Sequence, residues 1–319
     1  MLLHNFKCNQ NGNILSISSD DETILEIDRE KKTFQFPKLG EFREGKLIPC
    51  NFGSIQHLKG SRMKDNEDNM MNLEAQKKFT DCKRYPMDFV LVTEKIDGMN
   101  AGLLFENGNV FPINRKGYDV RSKLVLDDGS LNVLFLSLAL WVSWAKYKNY
   151  IQQLPNGYRQ VFENAMMIHS LEYEFKASPC YLLAMYDDKG NRILPNEVIN
   201  VGNASPIFSV PSTLCMGIAV EPEKVVKQFG KGVAGCKENM EGIVYSYLSC
   251  GKDGKMTFEG SAKYVSNLKA GTHSELPSRF NKFPGWQEWV DLMGLVKAFW
   301  RNENLIKEDG CLVELAIES

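Results

Sequence analysis

From Pro49 to Ala270 the apolar residues fall in short runs broken by polar turns, the pattern of strands with helices interspersed. Phe89-Val90-Leu91-Val92-Thr93-Glu94 predicts a strand leading into Lys95, and Ala101-Gly102-Leu103-Leu104-Phe105 predicts the next. Tyr181 to Tyr186, Gly242 to Tyr247 and Ala262 to Val265 predict further strands. Residues 1–48 are more polar, with short runs such as Ile14 to Ile17 and Thr33 to Phe36 set off by Asn11-Gly12 and Asp20-Asp21. That segment reads as a small β-rich extension. Val133 to Ala145 is apolar throughout, too short for the ~20 residues a bilayer span needs and followed at once by Lys146 and Lys148. It predicts a buried helix. Past Pro284 and Gly285 the spacing turns helical: Trp286, Trp289, Leu292, Met293, Val296, Phe299 and Trp300 form one stripe. So aromatic a stripe is expected to pack on the main domain. The resulting division is 1–48, 49–270 and 271–319, and the fold class is α+β built on antiparallel sheets.

Composition narrows the classes. With 43% hydrophobic and 24% charged residues the chain can form a core without staples. None of the eight cysteines lies in a C-x-x-C pair or at zinc-ligand spacing from a histidine, which argues against structural zinc. Met1 to Gly12 lacks the features of a signal peptide, so an intracellular, reducing compartment with free thiols is expected, with no membrane partner. The net charge of −2 supplies no general attraction for nucleic acid, so any such binding needs a local patch.

The chemistry centres on Glu94-Lys95-Ile96-Asp97-Gly98-Met99-Asn100. Alone, K-x-D-G is common enough to be a surface Lys–Asp turn. An ordered series follows it, however: Arg115 in Asn-Arg-Lys-Gly, Glu163 in Val-Phe-Glu-Asn, His169-Ser170-Leu171-Glu172-Tyr173, Tyr186-Asp187, Glu241-Gly242 and Lys263 in Ala-Lys-Tyr-Val. A strand-end lysine can act as a nucleophile once neutral. Lowering its pKa from about 10.4 to about 7 takes roughly 4–5 kcal/mol, from desolvation or nearby cations.

This set and order resemble the covalent nucleotidyltransferases, and most of all the ATP-dependent RNA ligases of the phage RNA ligase 2 type. Asn100 stands where those ligases carry an asparagine, and His57-Leu58-Lys59-Gly60-Ser61-Arg62 looks like an H-L-x-G-S-R segment of one branch. The likeness spans about residues 54–268. It implies a covalent nucleotidyltransferase fold, with ATP-grasp-like antiparallel sheets and flanking helices, and a catalytic Lys95 that takes AMP from ATP. Lys263 would neutralise the α-phosphate, and Glu241 would hold Mg2+ or Mn2+. Glu94, Ile96, Asp97, Asn100, Arg115, Glu163 and Tyr186 would complete the nucleotide site. Within it the backbone of Glu94 faces the adenine, Tyr186 stacks on it, and Arg115 and Glu163 hold the ribose. Asp97 positions the lysine or a water on the metal, and Asn100 senses the 5′-phosphate of an RNA end. The implied partner is RNA with 5′-phosphate and 3′-hydroxyl ends.

Some features depart from the family or stay open. Phe162 replaces a common glycine, and only Lys263 represents a fifth-motif lysine pair, with Ser261 and Val265 around it. His57 and His169 fit structural roles. Lys224, Lys227 and Lys231 could share a helical face, solvated or gripping a strand. DNA ligases and capping enzymes share the core motifs but add a barrel, for which the helical stretch after Lys263 is too short. A non-catalytic nucleotide or RNA-end binder is the alternative from another class.

Overall fold

The structure, a computed structural model, describes residues 5–48, 55–63, 69–81, 88–217, 219–267 and 279–302. The expected divisions after residues 48 and 270 adjoin or fall on stretches outside the described residues. Strands β1 (Phe6–Asn11), β2 (Ile14–Ser19), β3 (Glu22–Asp28) and β4 (Thr33–Gln35) form a four-stranded antiparallel meander. The polar and apolar residues of β2 alternate, which turns Leu15 and Ile17 inward. Then come β5 (Gln56–His57), α1 (Leu73–Thr80), β6 (Phe89–Lys95), β7 (Met99–Glu106) and β8 (Asn109–Asn114). The β7–β8 hairpin turns on Asn107-Gly108, both with positive φ, the pair that a two-residue turn favours.

Helix α2 (Val133–Tyr147) starts at Asn132, whose side chain accepts from the Phe135 N–H, and is buried from Leu136 to Ala145. Its lack of a polar face is explained by what surrounds it. The N-terminal sheet lies on one side, with Ser143 Oγ donating to the Ile24 carbonyl at 2.7 Å. On another lies α5 (Trp286–Trp300), the helix that the aromatic stripe predicts. Trp141, Trp144, Trp289 and Phe299 are all 1% exposed or less. The aromatic stripe therefore belongs to the main core, as its spacing implied.

Between these helices the chain adds β9 (Arg159–Asn164), β10 (Cys180–Tyr186), α3 (Pro195–Ala204), β11 (Thr213–Met216), α4 (Pro222–Phe229), β12 (Gly242–Cys250) and β13 (Met256–Val265). A second sheet has the order β10-β9-β7-β8, a third β11-β6-β12-β13-β5, and only the β13–β5 pairing is parallel. The fold is thus mixed α and β on antiparallel sheets. Helix α4 ends at Phe229, and Gly230 has φ +50°, so Lys231 lies past the helix and the suggested stripe of three lysines is broken. Lys224 is engaged with Glu221 at 2.9 Å. Among the described residues no helix is long and apolar enough to cross a membrane. The five described cysteines, Cys8, Cys180, Cys215, Cys236 and Cys250, are free thiols.

Candidate active site

Strand β6 sorts its side chains by pleat. Val90 and Val92 enter a small core with Val225, Val226, Ile243 and Tyr245, while Leu91, Thr93 and Lys95 line a cavity of about 280 Å³. The cavity is near the lower end of the range for ligand sites, about 300–1,000 Å³. Lys95 ends the strand. The chain then crosses from the third sheet to the second through Ile96, Asp97 and Gly98 alone. Gly98 is required there by space, since a Cβ would come within 2.6 Å of the Asn164 carbonyl. The glycine of K-x-D-G is therefore a packing residue between β7 and β9.

Pairing brings the remaining motifs to the same place. Asn100 on β7 is opposite Glu163 on β9, and Val244 on β12 is opposite both Thr93 and Lys263. Glu94, Ile96, Asn100, Arg115, Glu163, Tyr186 and Lys263 all contribute to the cavity wall with Lys95. Glu241, just before β12, pairs with the Lys95 Nζ. Gly242 after it is held between β6 and β13, where a Cβ would meet the Tyr264 carbonyl at 2.0 Å. The wall also carries the apolar residues Leu182, Ala184, Val198, Val210 and Pro211.

The carboxylates of Glu94 and Asp97 are both held by backbone N–H groups. The Glu94 carboxylate is turned to the face opposite Lys95, where Oε2 accepts from the Val233 and Ala234 N–H groups at 2.8 and 3.1 Å. Burial raises its pKa, with those two donors opposing. Asp97 is absent from the cavity wall. Its Oδ2 accepts from Ser170 N–H, Ser170 Oγ and Leu171 N–H at 2.7, 2.6 and 2.8 Å, and its own N–H donates to the Tyr173 hydroxyl at 3.2 Å. The Asp97 carboxylate ties the β6–β7 turn to the His169-to-Tyr173 segment and adds to the negative field at Lys95. His169 Nδ1 stands 3.5 Å from Asp97 Oδ1.

The charge of Lys95 also differs from the simplest reading of a neutral nucleophile. Burial alone would lower its pKa, but the carboxylates of Glu241 and Glu163 outweigh burial and raise it. Glu163 is pushed up to about 7, first by burial, with Lys95 opposing and Glu241 and Asp97 adding. Its proton is held in the folded state from about pH 4.5 to about 7, where an unfolded glutamate has released it. Stability contributed by that proton is complete below the unfolded pKa and is lost as pH rises through 7. Glu163→Gln, which cannot ionise, should therefore gain melting temperature relative to wild type between about pH 5 and about pH 8. A difference that stays flat across thermal melts in that range refutes the assignment.

Sequence reasoning passed over two arginines. The Arg159 guanidinium lies 5.3 Å from the Tyr186 ring centroid, covering one face of that ring. Arg192 lines the cavity, donates to the Leu183 carbonyl at 3.3 Å and sits 4.2 Å from the centroid of Phe258 on β13. Neither has a sequence signature, since each is recruited through tertiary packing.

No family model matches the chain, and no curated protein matches its sequence. Among solved structures it is similar to a mutant of Naegleria gruberi RNA ligase with AMP and Mn, at 14% identity and a TM-score of 0.41. That alignment covers 75% of this chain and 64% of the other. The same ligase with PPi gives 14% identity and a TM-score of 0.39 over the same shares. A putative ATP-dependent DNA ligase from Aquifex aeolicus is 11% identical with a TM-score of 0.35, over 93% of this chain and 66% of that one. The chain thus spans just under two thirds of the length of the Naegleria ligase. Likeness this distant leaves the assignment to the residues themselves.

Proposed function

We propose that this chain is an ATP-dependent RNA ligase, joining 5′-phosphate and 3′-hydroxyl ends through AMP carried on Lys95. The observation that carries the reading is convergence. Lys95 enters one cavity with Asn100, Arg115, Glu163, Tyr186 and Lys263, and Glu241 is its ion-pair partner. These residues are scattered between positions 95 and 263, and a binding pocket alone has no need of a half-buried amine beside two carboxylates.

The apolar residues of the cavity wall suit a nucleobase, and Tyr186 on that wall supplies a ring for stacking. Glu163 accepts from ribose hydroxyls, Arg115 donates beside it, and Lys263 faces the charge that develops on the α-phosphate. Among the described residues no three His, Cys, Asp or Glu side chains converge as a metal cage. A magnesium or manganese ion fits all the same, because such ions bind through one or two carboxylates plus substrate phosphates. Glu241 is the carboxylate that would hold it, and the bound ion supplies charge neutralisation at the phosphates.

Lys95 must first release the proton that Glu241 and Glu163 favour. Engagement of Glu241 elsewhere removes the larger of those two influences, and burial then works toward the neutral amine. The Nζ lone pair attacks the α-phosphorus, the bond to the bridging oxygen breaks, pyrophosphate leaves and Nζ sheds a proton. AMP then passes to the 5′-phosphate of an RNA end, near Asn100, and a 3′-hydroxyl displaces it to seal the strand. The return of residues 279–302 into the main core favours an RNA ligase over relatives whose fifth motif leads into a barrel.

The test is incubation with α-labelled ATP or GTP and magnesium, followed by a denaturing gel and a panel of 5′-phosphorylated RNA and DNA ends. Covalent label from ATP and joining of RNA ends are expected. Label from GTP alone indicates capping chemistry, and folded protein with no label indicates a non-catalytic binder.

A further inference from the structure

The His57-to-Arg62 segment has no task in the reaction above, yet it is bound along the outer edge of β13. Strand β5 pairs with β13 in parallel, with His57 opposite Lys263. The Leu58 N–H donates to the Lys263 carbonyl at 2.8 Å, and the Arg62 N–H donates to the Val265 carbonyl at 2.9 Å. Between these two bonds the ladder is completed by a side chain. The Val265 N–H donates to Ser61 Oγ at 2.9 Å, and Ser61 Oγ lies 2.6 Å from His57 Nδ1. Gly60, at φ +81°, makes the reversal that brings Ser61 back to β13.

Two contacts fix the position of the Ser61 hydroxyl. It accepts from the Val265 N–H, and its 2.6 Å hydrogen bond with His57 Nδ1 holds it there, whichever of the two donates. Both side chains are buried, His57 at 1% and Ser61 at 9% exposure. The hydroxyl is thereby aimed, and it acts as a fixed acceptor two residues beyond Lys263.

We propose that His57 and Ser61 are positioning residues for Lys263. By holding the Val265 N–H they fix the end of β13, and with it the point at which the Lys263 side chain enters the cavity. This rests on the reading of Lys263 as the cation at the α-phosphate. Charge stabilisation of a transition state depends on donors held in place before the reaction, and a misplacement of about 1 Å can cost about 100-fold in rate. The fifth motif has a single lysine in this chain, so no second amine covers for a displaced one.

The test is a double-mutant cycle on the rate of Lys95 adenylylation from α-labelled ATP, across ATP concentrations, with the full chain. Ser61→Ala should slow labelling about 10- to 100-fold with little change in the ATP concentration for half-maximal rate, because a transition-state contact is lost. In a Lys263→Ala background the same change should cost less than about twofold. Ser61→Thr, which keeps the hydroxyl, should recover most of the rate. Losses that multiply in the double variant, or a Ser61→Ala rate within about twofold of wild type, overturn the proposal. So does an effect confined to ATP affinity. If Ser61→Ala does not fold, His57→Asn goes through the same cycle with the same deciding outcomes. Wild-type protein that takes no label overturns the ligase reading together with this one, whereas normal wild-type labelling and an indifferent Ser61→Ala overturn this one alone.

Discussion

Lys95→Ala is expected to eliminate covalent labelling by α-labelled ATP, to below about one part in 10⁴ of the wild-type rate. The loss is large because no other amine can replace the nucleophile. The phosphoramidate bond needs a nitrogen within attacking distance of the α-phosphorus, about 3–3.5 Å in a near-attack arrangement. Lys263 enters from β13, two strands from β6, and in the proposed reaction it is needed to offset phosphate charge. Binding should survive better than chemistry, since Glu163, Arg115, Tyr186 and the apolar wall remain. Removal of the ammonium also leaves Glu241, with a side chain 5% exposed, without its cation. A second arm of the experiment uses RNA already carrying AMP on its 5′ end. Lys95→Ala should still join such RNA, because the step it performs has been supplied. Residual covalent label on the variant, or equal loss in both arms, contradicts the assignment.

Trp289→Ala should lower stability by about 3–5 kcal/mol, the usual cost of emptying a large aromatic site in a packed core. The melting temperature should fall by roughly 10 °C for a chain of this size. Trp289 is wholly buried, lies 5.4 Å from both Trp141 and Phe6 between ring centroids, and donates its Nε1–H to Ser137 Oγ at 2.6 Å. Alanine removes all of these contacts and leaves a buried hydroxyl with one fewer partner. The same packing changes how a truncation must be interpreted. Deleting residues 276–319 removes α5, which supplies a face of the core shared with α2 and the N-terminal sheet. Such a deletion is expected to unfold the protein, so labelling and joining fail together. A truncated chain that stays folded by thermal melt would refute this packing argument.

Much of the fold was legible because its signals are local. The short apolar run from Phe89 to Val92 and the long one from Val133 were each readable within a single window. The site was legible as a list of residues, and their meeting in one cavity follows from strand pairing that no short window contains. Lys231 fell outside the possible helical face because the helix ends at Phe229, two residues before it. The hydrogen bonds of Asp97 were not legible in its motif, because its partners Ser170 and Leu171 are distant in sequence. The charge of Lys95 was beyond pattern reading altogether, since it depends on carboxylates from β9 and from the start of β12. Arg159 and Arg192 gave no warning, because an arginine that ends over an aromatic ring looks like any other in sequence.

The direct passage from β6 to β7 through three residues has a mechanical consequence. Lys95 stands at the last position of β6, and β7 of the next sheet begins four residues on, so the two sheets are joined covalently beside the Lys95 amine. Any change in the angle between these sheets would displace the far wall of the cavity more than Nζ, because displacement grows with distance from the pivot.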